Sequence, residues 1–199
     1  VNEKNFFDLL QELFNHKKFI GGAVTNPYKE KILNYKKISI SKTENNIGAI
    51  NCFYKRGGNF IGVNTDGFAA YETINRNFEG LLGKKILLLG CGGAGKAISS
   101  IISEKMKLNN NLIIAVRNIK KIYQHAKNLN AKLINWNDID AHLSKVSLII
   151  NSTDLGGSNF LESSPLSEEK FSKIKPNTNF FDVIYQPEQT KFLNFAKNN

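Results

Sequence analysis

A glycine-rich loop stands between an apolar run and a predicted helix in the second half of the chain. Gly90, Gly92 and Gly95 follow the run Lys85 to Leu89 with the spacing G-x-G-x-x-G, and the helix is predicted from Lys96 to Lys107. In a strand–loop–helix unit these glycines allow a tight turn, close approach of the backbone to a pyrophosphate, and close packing of the helix on the strand. The free N–H groups at the helix start favour phosphate binding. The pattern predicts a dinucleotide site, the alternative being a tight turn without a ligand. The candidate cofactor contacts are Gly90, Cys91, Gly92, Gly93, Ala94 and Gly95.

The end of the next apolar strand indicates which dinucleotide would bind. An NAD site usually has Asp or Glu here, which accepts hydrogen bonds from the ribose hydroxyls. In this chain the strand Leu112 to Val116 is followed by Arg117 and Asn118, with Lys120 and Lys121 just beyond. An arginine can pair with the 2′-phosphate of NADP and stack on the adenine. NADP is therefore favoured over NAD, the alternative being that Arg117 is an ordinary surface charge.

Three short polar clusters in the first part of the chain could supply acid–base chemistry. They span residues 25–30, 48–51 and 64–67, and each follows an apolar run, where loops commonly carry functional residues. A dehydrogenase needs a proton donor or acceptor beside the carbon that exchanges hydride, and a lysine with a neighbouring carboxylate can fill that role. Lys29 and Asp66 are the candidates. The alternatives are a surface lysine on a helix and a helix cap.

The elements predicted to position these residues change in character near residues 66–83. In the first part the apolar spacing predicts helices and short strands, with a hairpin at Gly57-Gly58. In the second part buried strands alternate with helices, which is typical of a doubly wound parallel sheet. The first part has predicted helices at Glu3–Lys17 and Tyr28–Tyr35 and strands at Phe19–Val24, Ile47–Tyr54 and Phe60–Val63. A helix at Phe68–Phe78 is predicted in the boundary region. The second part has predicted strands at Lys85–Leu89, Leu112–Val116, Lys132–Ile134, Val146–Ile150 and Asn179–Ile184.

Composition argues against several other classes of protein. The chain has 199 residues, a formal net charge of +10 and 41% hydrophobic residues, enough for a packed core. No apolar run reaches the roughly 20 residues of a membrane helix. The two cysteines have neither disulfide nor metal-site spacing, so we expect a reducing cytoplasm and no metal. Nucleic-acid binding is disfavoured because the basic residues are scattered lysines, and arginines occur only at 56, 76 and 117.

The chain resembles the shikimate dehydrogenase family in six ordered motifs from about Gly21 to Leu193: GGAVTNPYKE, GAIN, GVNTDG, GKKILLLGCGGAGKA, IINSTDLG and FFDVIYQPEQTKFL. The resemblance implies an NADP-dependent, reversible reduction of 3-dehydroshikimate to shikimate, a step of chorismate and aromatic amino-acid biosynthesis. It implies an α/β fold, with a Rossmann-like doubly wound parallel sheet domain and a second, incomplete α/β substrate domain. The alternatives are a quinate/shikimate dehydrogenase that uses NAD, and a non-catalytic nucleotide-binding relative.

The resemblance also assigns roles to individual residues. Lys29 matches the family's catalytic lysine and Asp66 its aspartate partner. Tyr185 matches a tyrosine that contacts the substrate from the nucleotide domain. The implied substrate contacts are Thr25, Lys29, Asn51, Asp66 and Tyr185. The implied cofactor contacts are Gly90 to Ala94 for the pyrophosphate, Arg117, Asn118 and Lys121 for the 2′-phosphate, and Val183 for the nicotinamide.

The sequence departs from the family pattern at three positions and at both ends. Ala23, Val116 and Asp154 replace the family's usual Asn, Asn and Pro, which is expected to weaken substrate or cofactor binding. The family's N-terminal segment with two substrate-binding serines and its C-terminal helix with a substrate-binding glutamine have no counterpart. We therefore expect an internal, poorly active fragment of a longer enzyme, the alternative being a shortened relative. The predicted domains are 1–66, substrate-binding and N-terminally incomplete, and 67–199, NADP-binding, in a monomer or homodimer acting on small molecules.

Overall fold

The computed structural model describes residues 3–25 and 27–198, and it divides into two compact units. The first unit runs up to Thr65 and the second begins at Asp66. The predicted boundary lies one residue later along the chain. Asn26, in the middle of a predicted turn, lies outside the described residues.

The first unit is a mixed four-stranded sheet with an amphipathic helix. Strand β3 (Cys52–Arg56) pairs antiparallel with β1 (Gly21–Ala23) and with β4 (Asn59–Val63), and β2 (Ile38–Ile40) pairs parallel with β4. The sheet order is β1-β3-β4-β2. Gly57 and Gly58 form the predicted hairpin, with φ of 57° and 84°, values that suit a two-residue turn of glycines. The helices are α1 (Glu3–Asn15) and α2 (Lys42–Ile47), with a 3₁₀ turn at Lys31–Asn34.

Aromatic side chains fill the core of this unit. Phe6 and Leu10 of α1 are buried against Phe53 and Phe60 of the sheet. The ring of Phe14 stacks on Phe60 with centroids 3.8 Å apart. Large aromatic rings stabilise a small core beyond their buried area through such pairs. The packing therefore fixes the strand ends from which the polar clusters emerge.

The second unit is a parallel five-stranded sheet covered on both faces, as the sequence pattern predicts. The strand order is β7-β6-β5-β8-β9, so the chain leaves β5 in one direction and later returns to its other side. Successive residues of β5 enter opposite core layers, Leu88 on one face and Leu89 on the other. The strands are β5 (Ile86–Leu89), β6 (Leu112–Val116), β7 (Lys132–Asn135), β8 (Leu148–Asn151) and β9 (Asn179–Asp182). The helices are α3 (Asp66–Asn77), α4 (Gly93–Lys105), α5 (Ile119–Asn128), α6 (Asp140–Leu143) and α7 (Lys191–Lys197), with 3₁₀ turns at Trp136–Asp138 and Glu168–Lys173.

Helix α3 precedes the sheet in sequence but belongs to its core. Ala70 and Ile74 of α3 lie in the same core layer as residues of β5 and α4. The two helices approach closely at Gly67, where an added Cβ would lie 2.3 Å from the carbonyl oxygen of Ala97. Only a residue without a side chain fits this contact.

Several predicted elements of the first unit are wrong. Residues 28–35 form a 3₁₀ turn at Lys31–Asn34 instead of a full helix, although Tyr28, Ile32 and Tyr35 do face the core. The strand predicted from Ile47 begins only at Cys52. Ile47 ends the unpredicted helix α2, and Gly48 caps it with φ of 73°, in the left-handed region. Strand β2 of this unit was not predicted, and neither was helix α7 of the second unit.

Candidate cofactor and substrate sites

The glycine loop forms a tight connection between β5 and α4. Gly90 has φ of 84°, and its N–H donates to the carbonyl oxygen of Ala115 at 3.0 Å. A Cβ at Gly90 would lie 2.7 Å from Cγ2 of Thr153, so the turn has no room for a side chain. Gly92 is the N-cap of α4 and is exposed, and an added Cβ there would meet no atom within 4 Å. The loop thus presents open backbone at a helix start, which suits a pyrophosphate.

Gly95 serves packing on the inner side of the same loop. A Cβ at Gly95 would lie 2.6 Å from Oγ of Ser152 and 3.2 Å from the carbonyl oxygen of Gly90. Ser152 follows β8, and its hydroxyl lies 3.0 Å from the carbonyl oxygen of Leu89 and 3.2 Å from that of Gly90. Cys91 is buried, so its side chain also faces inward. Of the predicted loop contacts, the exposed backbone at Gly92 is the one most open to a ligand.

The residues after β6 form a basic, exposed surface. Val116 is buried, whereas Arg117, Asn118, Lys120 and Lys121 are exposed. The Asn118 side chain caps α5 by accepting a hydrogen bond from the backbone N–H of Lys121 at 3.2 Å. This bond holds the loop with its basic side chains at the start of the helix. The segment contains no carboxylate, so its charge suits a phosphate group.

Hydrogen bonds join the polar clusters of the first unit. The Asn51 side chain donates to Oγ1 of Thr65 at 2.8 Å and accepts from its backbone N–H at 2.9 Å. The Asn51 carbonyl oxygen accepts from the N–H of Val24 at 2.8 Å, next to Thr25. Asn51 therefore ties the end of β1 to the end of β4. The resemblance implies that Asn51 contacts substrate, and its hydrogen bonds position Thr65 and the residue before Thr25.

A backbone hydrogen bond joins Lys29 to the polar cluster at residues 48–51. Its carbonyl oxygen accepts from the N–H of Ile50 at 2.8 Å, and the Asn64 side chain donates to the carbonyl oxygen of Ala49 at 3.0 Å. The Lys29 side chain is half-buried and Thr25 is exposed. Asp66, the other predicted catalytic residue, is half-buried at the start of α3 and belongs to the second unit.

A cleft of about 230 Å³ lies at the carboxyl ends of β8 and β9 in the second unit. Val183 and Tyr185, both predicted from the sequence, line one wall, and Tyr185 is 85% exposed. The loop after β8 forms the other wall. The motif IINSTDLG and the departure at Asp154 had indicated the start of this loop, whereas the lining residues 157–160 were not predicted. The lining residues are Asp154, Gly157, Ser158, Asn159, Phe160, Val183, Ile184, Tyr185 and Gln186.

A polar network lies behind this cleft. The Asp182 carboxylate accepts hydrogen bonds from the Asn151 side chain at 3.0 Å, the N–H of Ile184 at 3.0 Å and the Thr190 hydroxyl at 2.8 Å. Burial raises the pKa of Asp182 above its ordinary value, and the three hydrogen bonds only partly oppose that effect. This network was not predicted, although Asn151 and Asp182 are the polar residues that end two apolar strands.

The described residues show neither a metal-binding cluster nor a membrane-spanning helix. Within 3–25 and 27–198, no group of three or more His, Cys, Asp or Glu side chains could hold a metal ion. None of the helices in these ranges has the length and hydrophobicity needed to cross a membrane.

Comparisons with known proteins point to one family. The family model for shikimate/quinate 5-dehydrogenase matches residues 72–185. A shikimate dehydrogenase (NADP(+)) from Methanococcus maripaludis is 32% identical over 204 aligned residues, which cover 99% of this chain and 70% of the relative. One from Staphylococcus aureus is 31% identical over 191 residues, covering 96% and 68%.

The chain is also similar to solved structures of shikimate dehydrogenases. The chain superimposes with a TM-score of 0.82 on shikimate 5-dehydrogenase from Thermus thermophilus in complex with NADP(H) and shikimate, at 25% identity, covering 100% of this chain and 70% of that one. A shikimate dehydrogenase in complex with NADP+ gives a TM-score of 0.83 at 28% identity, covering 100% and 69%. These matches confirm the predicted fold class, a Rossmann-like α/β protein with a parallel sheet.

Proposed function

Because the chain belongs to the shikimate and quinate 5-dehydrogenase family, we propose that it catalyses the reversible reduction of 3-dehydroshikimate to shikimate with NADPH. One observation carries the cofactor part of this proposal. The glycine loop follows β5, which borders the point where the strand order reverses, and the basic segment follows the neighbouring strand β6. Doubly wound sheets bind dinucleotides at this point. The segment after β6 offers cations and no carboxylate, which favours NADP over NAD and argues against the NAD-dependent alternative.

Residues that follow different strands of the second unit would bind different parts of NADP. The exposed backbone at Gly92 and the start of α4 would bind the pyrophosphate. Arg117 and Lys121 would bind the 2′-phosphate, and Asn118 would keep the loop in place. The wall at Val183 would contact the nicotinamide. When bound, NADPH supplies the hydride that reaches the carbonyl carbon of the substrate.

The acid–base step would belong to Lys29 and Asp66. In the reduction, the Lys29 ammonium donates a proton to the carbonyl oxygen of the substrate as negative charge develops there. Asp66 is the residue that matches the aspartate partner of the family's catalytic lysine. Thr25, Asn51 and Asp66 would bind the ring hydroxyls through their polar groups, and Tyr185 would contact the substrate from the nucleotide domain. In this proposal the first unit binds substrate and the second binds NADP, in a cytoplasmic monomer or homodimer.

The test is calorimetric titration of NADP and NAD into the wild-type chain and into Arg117→Ala. A charge-assisted contact with phosphate contributes about 1.5–3 kcal/mol. NADP should therefore bind at least roughly tenfold more tightly than NAD, since about 1.4 kcal/mol is a factor of ten. Arg117→Ala should remove most of this difference.

Lys132→Ala is the matched control for this titration. Lys132 is also exposed but begins β7, at the amino end of the parallel sheet, so its loss should leave the ratio unchanged. Equal affinities of NADP and NAD in the wild type would contradict the cofactor assignment. Absence of binding by either would contradict the dinucleotide site itself. A steady-state assay of NADPH formation from NADP and shikimate then tests the reaction.

A further inference from the structure

Both walls of the cleft are attached to one pair of side chains that do not line it. Asn151, at the end of β8, is fully buried. Its Oδ1 accepts hydrogen bonds from the N–H of Thr153 at 3.0 Å and from the Thr153 hydroxyl at 2.7 Å. Its Nδ2 donates to the carbonyl oxygen of Leu155 at 3.1 Å. One amide group therefore fixes the turn that leads into Asp154 and the wall beyond it.

Asp182, at the end of β9, fixes the opposite wall. One oxygen accepts from the N–H of Ile184, which lies between the lining residues Val183 and Tyr185. The other oxygen accepts from Thr190, which is 1% exposed and caps α7 by accepting from the N–H of Leu193 at 3.3 Å. The carboxylate thus anchors the loop after β9 to the start of the last helix.

A direct bond joins the two anchors. Nδ2 of Asn151 donates to Oδ1 of Asp182 at 3.0 Å, and β8 and β9 are neighbouring parallel strands whose ends pair Asn151 with Asp182. Each amide hydrogen and each carboxylate oxygen of the pair has a stated partner. A fully satisfied polar network rigidifies the structure around it and specifies one geometry. In this pair Asn151 is buried and Asp182 is half-buried. The spacing of the two walls is therefore set by this pair.

We propose that Asn151 and Asp182 are positioning residues that hold the two walls of the cleft at the spacing required by the nicotinamide half of the cofactor. This inference rests on the proposed function. A doubly wound sheet binds the two halves of a dinucleotide on either side of its switch point. The basic segment after β6 marks the adenosine side, so the ends of β8 and β9 receive the other half. Small errors in placing a reacting ring cost far more in rate than in affinity.

The first arm of the test needs no ligand and compares hydrogen exchange in three chains. Asp182→Ala removes every acceptor of the carboxylate, whereas Asp182→Asn keeps an oxygen for Ile184 and Asn151 and can donate to Thr190. Asp182→Ala should speed amide exchange in segments 153–156 and 183–186 by at least roughly tenfold, with Leu87 to Leu89 unchanged. Asp182→Asn should stay near the wild type.

A matched control separates positioning from general loss of stability. Asp140 is a carboxylate of the same unit that pairs with Lys170 and Lys173, and it does not line the cleft. Asp140→Ala therefore removes comparable interactions elsewhere. It should leave exchange in both cleft segments unchanged.

The second arm uses two probes, NADPH and adenosine 2′,5′-bisphosphate. Asp182→Ala should abolish most of the change in nicotinamide fluorescence that NADPH shows on binding, while the affinity for the bisphosphate changes less than about twofold, because that probe lacks the nicotinamide half. Asp182→Asn should restore the fluorescence change. In a chain with measurable turnover, Asp182→Ala should lower kcat by about 10²-fold with little change in the KM for NADP.

The outcomes separate the two proposals. Unchanged exchange in both segments of Asp182→Ala would overturn the positioning role. The positioning role would also be overturned if Asp182→Ala lost affinity for NADPH and for the bisphosphate equally. It would be overturned as well if Asp140→Ala changed exchange and binding as much as Asp182→Ala does. If the three chains differ in exchange as expected but the wild type binds neither probe, the proposed NADP site is overturned and the positioning role is not.

Discussion

Replacing Gly95 by alanine tests how tightly the glycine loop is packed. The added methyl carbon would lie 2.6 Å from Oγ of Ser152, well inside van der Waals contact. Ser152 cannot turn away without cost, because its hydroxyl lies within hydrogen-bond distance of the carbonyl oxygens of Leu89 and Gly90. Overpacking of this kind costs about 1–3 kcal/mol. Alanine in a helix regains about 1 kcal/mol over glycine, so we expect a net loss of about 0–2 kcal/mol in the free energy of unfolding.

Two further variants make this experiment decisive. Ser152→Ala removes the clashing oxygen at the cost of about 1 kcal/mol for its hydrogen bonds. The double variant should therefore be more stable than the sum of the two losses predicts, by about 1 kcal/mol or more. Gly92→Ala is the matched control, since a Cβ there meets no atom within 4 Å and φ is −78°. It should lower stability by no more than about 1 kcal/mol, the difference between glycine and alanine at a helix N-cap. It should weaken NADP binding, because its methyl group would stand on the exposed backbone.

Urea unfolding and NADP titration of these chains give both quantities. Strict additivity of Gly95→Ala and Ser152→Ala would refute the steric argument. A Gly92→Ala chain that binds NADP as tightly as the wild type would refute the placement of the pyrophosphate on that backbone.

Three more predictions concern the chemistry of the site. Lys29→Ala should lower kcat by about 10²–10⁴-fold in a chain with measurable turnover, the usual effect of losing an acid–base group, while NADP affinity stays unchanged; a variant that keeps half the turnover would exclude Lys29. Asp154→Asn removes a carboxylate from the cleft wall. Because the nicotinamide ring of oxidised NADP is cationic, this change should lower the affinity for oxidised NADP by up to about fivefold relative to that for NADPH, measured in paired titrations. Because burial raises the pKa of Asp182, its ionisation destabilises the fold. The free energy of unfolding of the wild type should therefore rise, relative to Asp182→Asn, as the pH falls through the folded pKa towards the unfolded value of about 3.9, measured by urea unfolding at each pH.

The five strands of the parallel sheet in the second unit could be predicted from the sequence, whereas its last helix, α7, could not. Strands such as Leu112–Val116 are apolar along their whole length because both faces are covered, and the glycines mark the turn. The first unit was harder, because Ala49 and Ile50 are apolar and fully buried yet lie in a loop. Their backbone bonds with Lys29 and Asn64 replace a strand ladder, and the hydrophobic pattern cannot distinguish the two arrangements.

The network behind the cleft could not be predicted for a different reason. Asn151 and Asp182 are 31 residues apart in sequence and meet only because β8 and β9 are neighbours in register. A polar residue at a strand end predicts a functional loop, but its partner depends on strand order. The order of strands was not deduced from the periodicity, so the pair was missed.

The position of α3 bears on how such a protein can recombine with its relatives. Helix α3 comes before the first strand of the parallel sheet, yet its residue Ile74 is completely buried in the core of that sheet. At Gly67 the backbone of α3 packs directly against the backbone of α4. A gene crossover near Gly83, at the apparent start of the nucleotide-binding motif, would join this helix to a foreign partner and lose the fit at Gly67. A crossover just before Asp66 would transfer the complete module. Exchange of cofactor specificity between family members, by evolution or by chimera design, should therefore succeed at the earlier junction and fail at the later one.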